Sequence, residues 1–358
     1  MDGDLKHTAS ILLVDDDPTN LRFLQEVLKD DYKIYAAPSG ERALRFLAAA
    51  EPNIILLDIE MPNMNGYEVI RRIKEDTRLK SIPIIFLTAQ EGREKEQEAF
   101  DLGAVDYILK PITPGIVRSR VGLHVELESY RKDLEYKIDL RTRQLKLTQD
   151  AILDMLAGVT SYRDNETGGH IKRTTYYSEV LVNNLIKQNR PGYQIDEAYA
   201  RSIVKTAKLH DIGKVAVPDT ILLKPGKLND EEFDKIKMHT IYGARMIDDS
   251  IEELGDTSDF LLTAREIVIS HHEKWNGTGY PNKLKGADIP LSGRIMALSD
   301  VYDALISRRP YKNGFSHEDA MGIIYKDSGT HFDPVLVELS SDCFPQFKEI
   351  AERFKDKE

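Results

Sequence analysis

Between residue 10 and about residue 112 the chain alternates short, nearly all-apolar runs with stretches whose apolar residues recur every three or four positions. The runs ILLVD, KIYAA, NIILLD, IPIIFLT and VDYILK predict five β-strands, and the segments around 19–29, 40–50, 66–76 and 91–102 carry helical spacing. Strands that are apolar on both faces and alternate with helices predict a parallel sheet covered on both sides.

From about 113 to 160 the pattern changes. Gly and Pro nearly vanish, and Arg, Lys, Glu and Leu dominate. Ile116, Leu123, Leu127, Tyr130, Leu134, Ile138, Leu145 and Ile152 follow a heptad-like spacing, with steps of four from Tyr130 to Ile138 that read as a stutter. This predicts a helical linker of about 60 Å, a weak parallel coiled coil, with Arg120 and Arg141 in its seam. A solvated single helix is the alternative. Residues 160 to 358 read as all-helical. Helix starts are marked at Asn229, Ser316 and Asp333-Pro334, and 274–293 is rich in loop residues.

A chain of 358 residues accommodates two domains. Hydrophobic residues at 41% and charged residues at 30% are ordinary for a globular protein. A net charge of −11 argues against non-specific binding to DNA or to an anionic membrane. The single Cys343 excludes an intrachain disulfide framework. With no apolar run of about 18 residues and a polar, acidic start, the expectation is a cytoplasmic protein.

In an open α/β sheet, chemistry gathers at the carboxyl ends of the strands. Here those ends bear Asp15, Asp16 and Asp17, then Asp58, Thr88 and Lys110. Converging carboxylates repel unless a hard cation joins them, and Mg²⁺ suits oxygen ligands. A carboxylate in such a pocket can attack phosphorus, with a hydroxyl and an ammonium holding the added oxygens. VDDDP, LLDIEMPNMNG, FLTA and LKP, in that order, resemble the receiver domain of response regulators over 10–125, with its flavodoxin-like fold. The resemblance implies Asp58 as phosphoacceptor, Asp15, Asp16, Asp58 and the Glu60 carbonyl at Mg²⁺, and Thr88, Lys110 and Tyr107 as the switch residues. It also implies a cis Lys110–Pro111 bond and a cognate sensor histidine kinase. A solvated acidic rim on an unrelated sheet is the bland reading, which the five matches together disfavour.

The second half carries a different set. Glu166 and His170 stand four apart, His210 and Asp211 are adjacent in KLHDIGK, and His239, His271, His272, Asp300 and Asp303 follow. Five of the nine histidines lie in this group and no cysteine does. Imidazole mixed with carboxylate suits iron, manganese or zinc held for catalysis. Two such ions can position a water for in-line attack on phosphorus, and Lys214, one turn on, can neutralise a phosphate oxygen.

HDIGK, HHEKWNGTGYP, SDVYDAL and RRPYK resemble the HD-GYP subgroup of HD-domain phosphohydrolases over 150–345. The resemblance implies an all-α metal-dependent phosphodiesterase that opens cyclic di-GMP, with pGpG or GMP as the final product. It implies two or three ions, iron or manganese, on Glu166, His170, His210, Asp211, His239, His271, His272 and Asp300, with Asp211 and Lys214 catalytic. Arg309, Lys312, Tyr280 and Asp303 are the expected substrate-binding residues. Glu166 at its position implies the third ion. Each has a plainer reading. His239 alone would pass for a packed helix histidine, Tyr280 for a loop former, Arg309 and Lys312 for a solvated face, and Asp303 for an orienting or capping residue. His7, His124, His317, His331 and Trp275 read as surface or packing residues. The expected protein is a response regulator controlled by phosphorylation of Asp58. Its parts are a receiver (10–125), a helical linker (113–160) that makes a homodimer, and a phosphodiesterase domain (150–345). Alternatives are a phosphodiesterase for another cyclic dinucleotide, such as cyclic GMP-AMP, or an inactive cyclic di-GMP-binding or protein-binding effector.

Overall fold

The structure is a computed structural model that describes residues 9–89, 93–164, 168–255, 258–307 and 314–356. It divides into two compact units, Met1–Arg143 and Gln144–Glu358.

In the first unit, β1 (Ser10–Val14), β2 (Lys33–Ala37), β3 (Ile54–Asp58), β4 (Ile84–Thr88) and β5 (Asp106–Leu109) form one parallel sheet in the order β2-β1-β3-β4-β5. The helices α1 (Pro18–Leu28), α2 (Gly40–Leu47), α3 (Gly66–Glu75) and α4 (Arg93–Asp101) connect successive strands. Alternate residues of the central strands feed two cores. Leu12, Val14, Ile55 and Leu57 point to one, and Ile11, Leu13, Ile54 and Leu56 to the other. Each such side chain, fully buried, contributes about 1.5–3 kcal/mol. Both faces being covered is why these strands are continuous apolar runs. Asp17, Ser39 and Asn65 cap α1, α2 and α3 by accepting a backbone N–H.

Helix α5 runs from Pro114 to Arg163, and the boundary between the units falls within it. Val117, Val121 and Val125, spaced by four, pack on the sheet of the first unit. Leu153 and Ala157 are buried in the second unit. The heptad-like residues from Ile116 to Ile152 are all exposed on this chain. Arg120 departs from its expected place in that seam. Its guanidinium pairs with Asp106 and lies 5.8 Å from the Tyr107 ring centre. The partly buried carboxylate of Asp106, shared with His124 at 3.3 Å, draws it there.

The described part of the second unit is helical: α6 (Gly168–Gln188), α7 (Glu197–Thr206), α8 (Asp219–Leu222), α9 (Asp230–Lys237), α10 (His239–Leu254), α11 (Asp259–Ser270), α12 (Leu291–Ile306), α13 (His317–Lys326) and α14 (Pro334–Arg353). Short 3-10 turns cover Ala207–Leu209, Ile212–Ala216 and Gly286–Asp288. The main core joins Tyr177, Leu181 and Leu185 of α6 to Ile267 of α11, Leu298 and Tyr302 of α12, and Leu339 and Phe347 of α14. Asn229 and Glu232 make a reciprocal capping box at α9, Ser316 caps α13, and Asp333 caps α14 ahead of Pro334. No helix among the described residues is long and apolar enough to cross a membrane.

Candidate metal centre

The 3-10 turns after α7 break the helical path where His210 and Asp211 must face inward together. Close backbone approach sets their depth. A Cβ on Gly213 would lie 1.9 Å from the His239 carbonyl oxygen and 2.5 Å from the Gly243 nitrogen. Glycine there lets the turn dock on α10, which starts at His239.

Two ligand groups result. Asp211, His239, His271 and His272 offer atoms within 4.8 Å of one another, and so do His170, His210 and Asp300. The Asp211 carboxylate faces both. Its Oδ1 lies 3.2 Å from His239 Nε2 and 3.7 Å from His271 Nε2. Its Oδ2 lies 3.2 Å from His210 Nε2 and 2.7 Å from Lys214 Nζ. In the second group, His170 Nε2 is 3.6 Å and His210 Nε2 is 4.0 Å from Asp300 Oδ1.

The far ring nitrogens settle the tautomers. Nδ1 of His210 donates to the Ala207 carbonyl at 2.9 Å, Nδ1 of His239 to Ile236 at 2.7 Å, and Nδ1 of His271 to Ile267 at 3.1 Å. Nδ1 of His170 donates to Asp303 at 2.9 Å. Carbonyls and carboxylates only accept, so each Nδ1 carries the proton and each Nε2 turns a lone pair to the centre. Burial pushes His271 below the ordinary histidine value and His272 well below it, which keeps both neutral. Burial raises the Asp211 carboxyl, but the Lys214 ammonium leads the opposing influences, which hold it well below the usual carboxylate range.

The residues fit divalent ions. Asp211 Oδ1 is buried and accepts no hydrogen bond although two imidazoles face it. Ligands about 2.1 Å from one ion sit about 3–3.5 Å apart, close to the separations here.

Asp303 lies deep in the second unit. Expected at the substrate, it is buried to 1% exposure. It accepts from His170, from Arg173 Nε at 2.7 Å and from Arg173 Nη2 at 2.9 Å. This is the geometry of the orienting alternative, with Asp303 holding the far nitrogen of His170. Arg173, buried itself, also donates to the Phe354 carbonyl and to Asp356. Tyr280 packs its ring on His272 with centres 4.7 Å apart and stands 6.5 Å from Phe233. Glu166, Arg309 and Lys312 lie outside the described residues.

Sequence reasoning missed three groups. Asp164 accepts from Lys214 Nζ at 2.5 Å. Arg173 is buried and donates twice to Asp303. Glu273, buried beside the histidine pair, accepts from the backbone N–H of Asn282 at 2.7 Å and of Leu284 at 3.1 Å, tying the loop after Tyr280 to the ligands. A carboxylate directly following two ligand histidines was the available signal.

At the carboxyl end of the parallel sheet, Asp15, Asp16 and Asp58 offer oxygens within 4.8 Å of one another. Lys110 Nζ reaches Asp58 at 2.8 Å and Asp15 at 3.1 Å. Burial, assisted by Asp15, raises the Asp58 carboxyl above its ordinary value despite Lys110. Three carboxylates against one ammonium leave negative charge that a hard cation would neutralise. Thr88 is buried at the end of β4, Tyr107 lies on β5, and the Lys110–Pro111 bond is cis.

Residues 11–121 match the response regulator receiver domain and residues 171–336 match the HD domain. A probable cyclic di-GMP phosphodiesterase of Vibrio cholerae is 43% identical over 357 residues, covering 98% of this chain and 81% of that protein. The cyclic di-GMP phosphodiesterase response regulator RpfG of Xanthomonas campestris is 32% identical over 355 residues, covering 96% and 90%. This chain belongs to the response-regulator family of HD-domain phosphodiesterases. A 3'3'-cGAMP-specific phosphodiesterase 2 of Vibrio cholerae is 38% identical over 334 residues, covering 89% of this chain and 58% of that protein.

Proposed function

We propose that this response regulator hydrolyses cyclic di-GMP to pGpG and on to GMP under the control of Asp58 phosphorylation. The observation that carries the hydrolytic reading is the Asp211 carboxylate, one oxygen toward each histidine group, with Lys214 at 2.7 Å. The proposed ligands are His170, His210, Asp211, His239, His271, His272 and Asp300, with Glu166 for a third ion. The imidazole–carboxylate set favours iron or manganese. Ions held there supply a polarised phosphate and an activated water. Lys214 holds a phosphate oxygen, Asp303 and Glu273 fix ligand geometry, and Tyr280 buttresses His272. Arg309 and Lys312 are assigned to the substrate phosphates and guanine.

In the receiver, Mg²⁺ on Asp15, Asp16 and the Glu60 carbonyl would neutralise the pocket in which Asp58 takes a phosphoryl group from a sensor kinase. Thr88 and Lys110 then hold the phosphoryl oxygens. Tyr107 lies under Arg120 of α5, so its movement has a physical path into the linker. The exposed apolar line of α5 supports a homodimer through that helix, and we place the protein in the cytoplasm, where its kinase partner would act.

The test is turnover of a cyclic-dinucleotide panel by anaerobically prepared, metal-analysed protein, with and without a phosphoryl mimic. Cyclic di-GMP should be cleaved, and Asp58→Ala should not respond to the phosphoryl donor. A second reading, suggested by the cGAMP-specific relative, is selected if cyclic GMP-AMP is cleaved faster. Bound nucleotide without turnover by metal-replete protein would overturn both in favour of an effector.

A further inference from the structure

The last turn of α5 is fastened to the segment that bears Lys214. Arg163 donates to the carbonyls of Val215 and Val217, the second at 3.2 Å, and pairs with Asp219 at 2.5 Å. Val215 directly follows Lys214 in the 3-10 turn. The next residue, Asp164, accepts from Lys214 Nζ at 2.5 Å. About three and four turns back along α5, Asp154 and Asp150 make two more ion pairs, with Lys208 at 2.5 Å and Lys205 at 2.7 Å. Leu153 packs with Leu209, which precedes His210.

We propose that Asp164, backed by Arg163, is a positioning residue that aims Lys214 at the reacting phosphate. A lysine side chain is flexible and strongly hydrated, so its charge is useful only where something holds it. Asp211 also contacts Lys214, yet Asp211 belongs to a candidate ligand group and, among the described residues, Asp164 belongs to none. With ions bound, the carboxylate of Asp211 is shared with them and their charge repels the ammonium. Asp164 supplies an anion outside that set. The pair is largely shielded, with side-chain exposures of 13% and 15%, so solvent weakens it little. Arg163 fixes the backbone at the base of the lysine, and Asp164 fixes its tip. Arg163 also ends the helix that carries Arg120 against Tyr107. A shift of the final turn of α5 therefore alters the aim of Lys214 before it alters a metal ligand.

This inference rests on the proposed role of Lys214 as a phosphate clamp. The experiment is a double-mutant cycle on the full-length, metal-loaded chain, with hydrolysis of cyclic di-GMP and metal per chain measured for each variant. Lys214→Ala should lose about 10²–10³ in rate. Asp164→Asn should lose about 10–100-fold, the range for removal of an orienting carboxylate, with metal content unchanged. The double variant should be no slower than Lys214→Ala alone, because both changes remove one function, and Asp164→Glu should recover part of the loss. Two outcomes overturn the proposal: losses that multiply in the double variant, or loss of a metal equivalent in Asp164→Asn. Trp275 fluorescence checks folding, and Asp164→Glu replaces Asp164→Asn in the cycle if the latter unfolds. Should Lys214→Ala turn over normally, the clamp reading falls and this inference with it. Should Lys214→Ala be slow while Asp164→Asn is normal, only the inference falls.

Discussion

Replacing Asp303 by asparagine keeps the side-chain shape and removes one charge from a buried network. Asp303 is 1% exposed and Arg173 is 3% exposed. The carboxylate accepts from His170 at 2.9 Å, from Arg173 at 2.7 and 2.9 Å, and from Ser307 at 3.1 Å. An amide offers one accepting oxygen and sets an NH₂ against donors on its other side. Breaking a buried ion pair from one side costs about 3–5 kcal/mol, because the other charge stays buried. Asp356, 38% exposed and 3.1 Å from Arg173, still neutralises part of that charge. The expected loss is therefore near the lower end, about 3 kcal/mol. The assay is urea unfolding of chelator-treated protein followed by the fluorescence of Trp275, the chain's single tryptophan, which lies in the second unit. Without metal, the change reports packing and charge alone. A metal titration then reads the second consequence. His170 loses the acceptor that sets its tautomer, so affinity at the His170–His210–Asp300 group should fall about 10–100-fold. The group around His239 should keep its ion. An Asp303→Asn protein with wild-type urea stability and both metals bound at wild-type affinity would refute the reasoning.

Gly213→Ala should destabilise the second unit by about 1–3 kcal/mol and loosen the Asp211–His239 spacing, since the new Cβ meets the His239 carbonyl at 1.9 Å; unchanged melting and metal content would show that the turn can give way. Burial lowers the His331 imidazole from 6.5 to about 4. The unfolded chain then takes up a proton below pH 6.5 that the folded chain refuses until about pH 4. Stability is fully present above pH 6.5 and is lost as pH falls, by about 2 kcal/mol at pH 5; in His331→Asn that part of the pH slope should disappear, and an unaltered slope would assign it elsewhere. Glu166→Gln should lose about one metal equivalent and accumulate pGpG while the first cleavage survives. Wild-type metal content together with a wild-type product ratio would return Glu166 to a structural role.

Much of this protein is legible from neighbours along the chain. Apolar runs buried on both faces read as central parallel strands, and Asp58 and Thr88 stand at the ends of two of them, with Lys110 just past the edge strand β5. Caps at Asn229, Ser316 and Asp333 depend on residues within three positions, so they too are local. The adjacent His210 and Asp211 announced metal chemistry because few other uses place those groups together. Partnership between distant elements was not readable. Arg120 looked like a flaw in a coiled-coil seam until β5 placed Asp106 and Tyr107 beside it. Asp303 stood between a substrate contact and an orienting or capping residue until α6 set His170 and Arg173 against it, 133 and 130 residues away in sequence. Asp164 carries no motif of its own visible in composition or period, and only the docking of the end of α5 beside the Ile212–Ala216 turn brings it to Lys214. Periodicity and motif spacing encode which face a side chain takes. Which charge it meets on that face is decided by how helices pack, and one turn of helix along the chain is enough to change the partner.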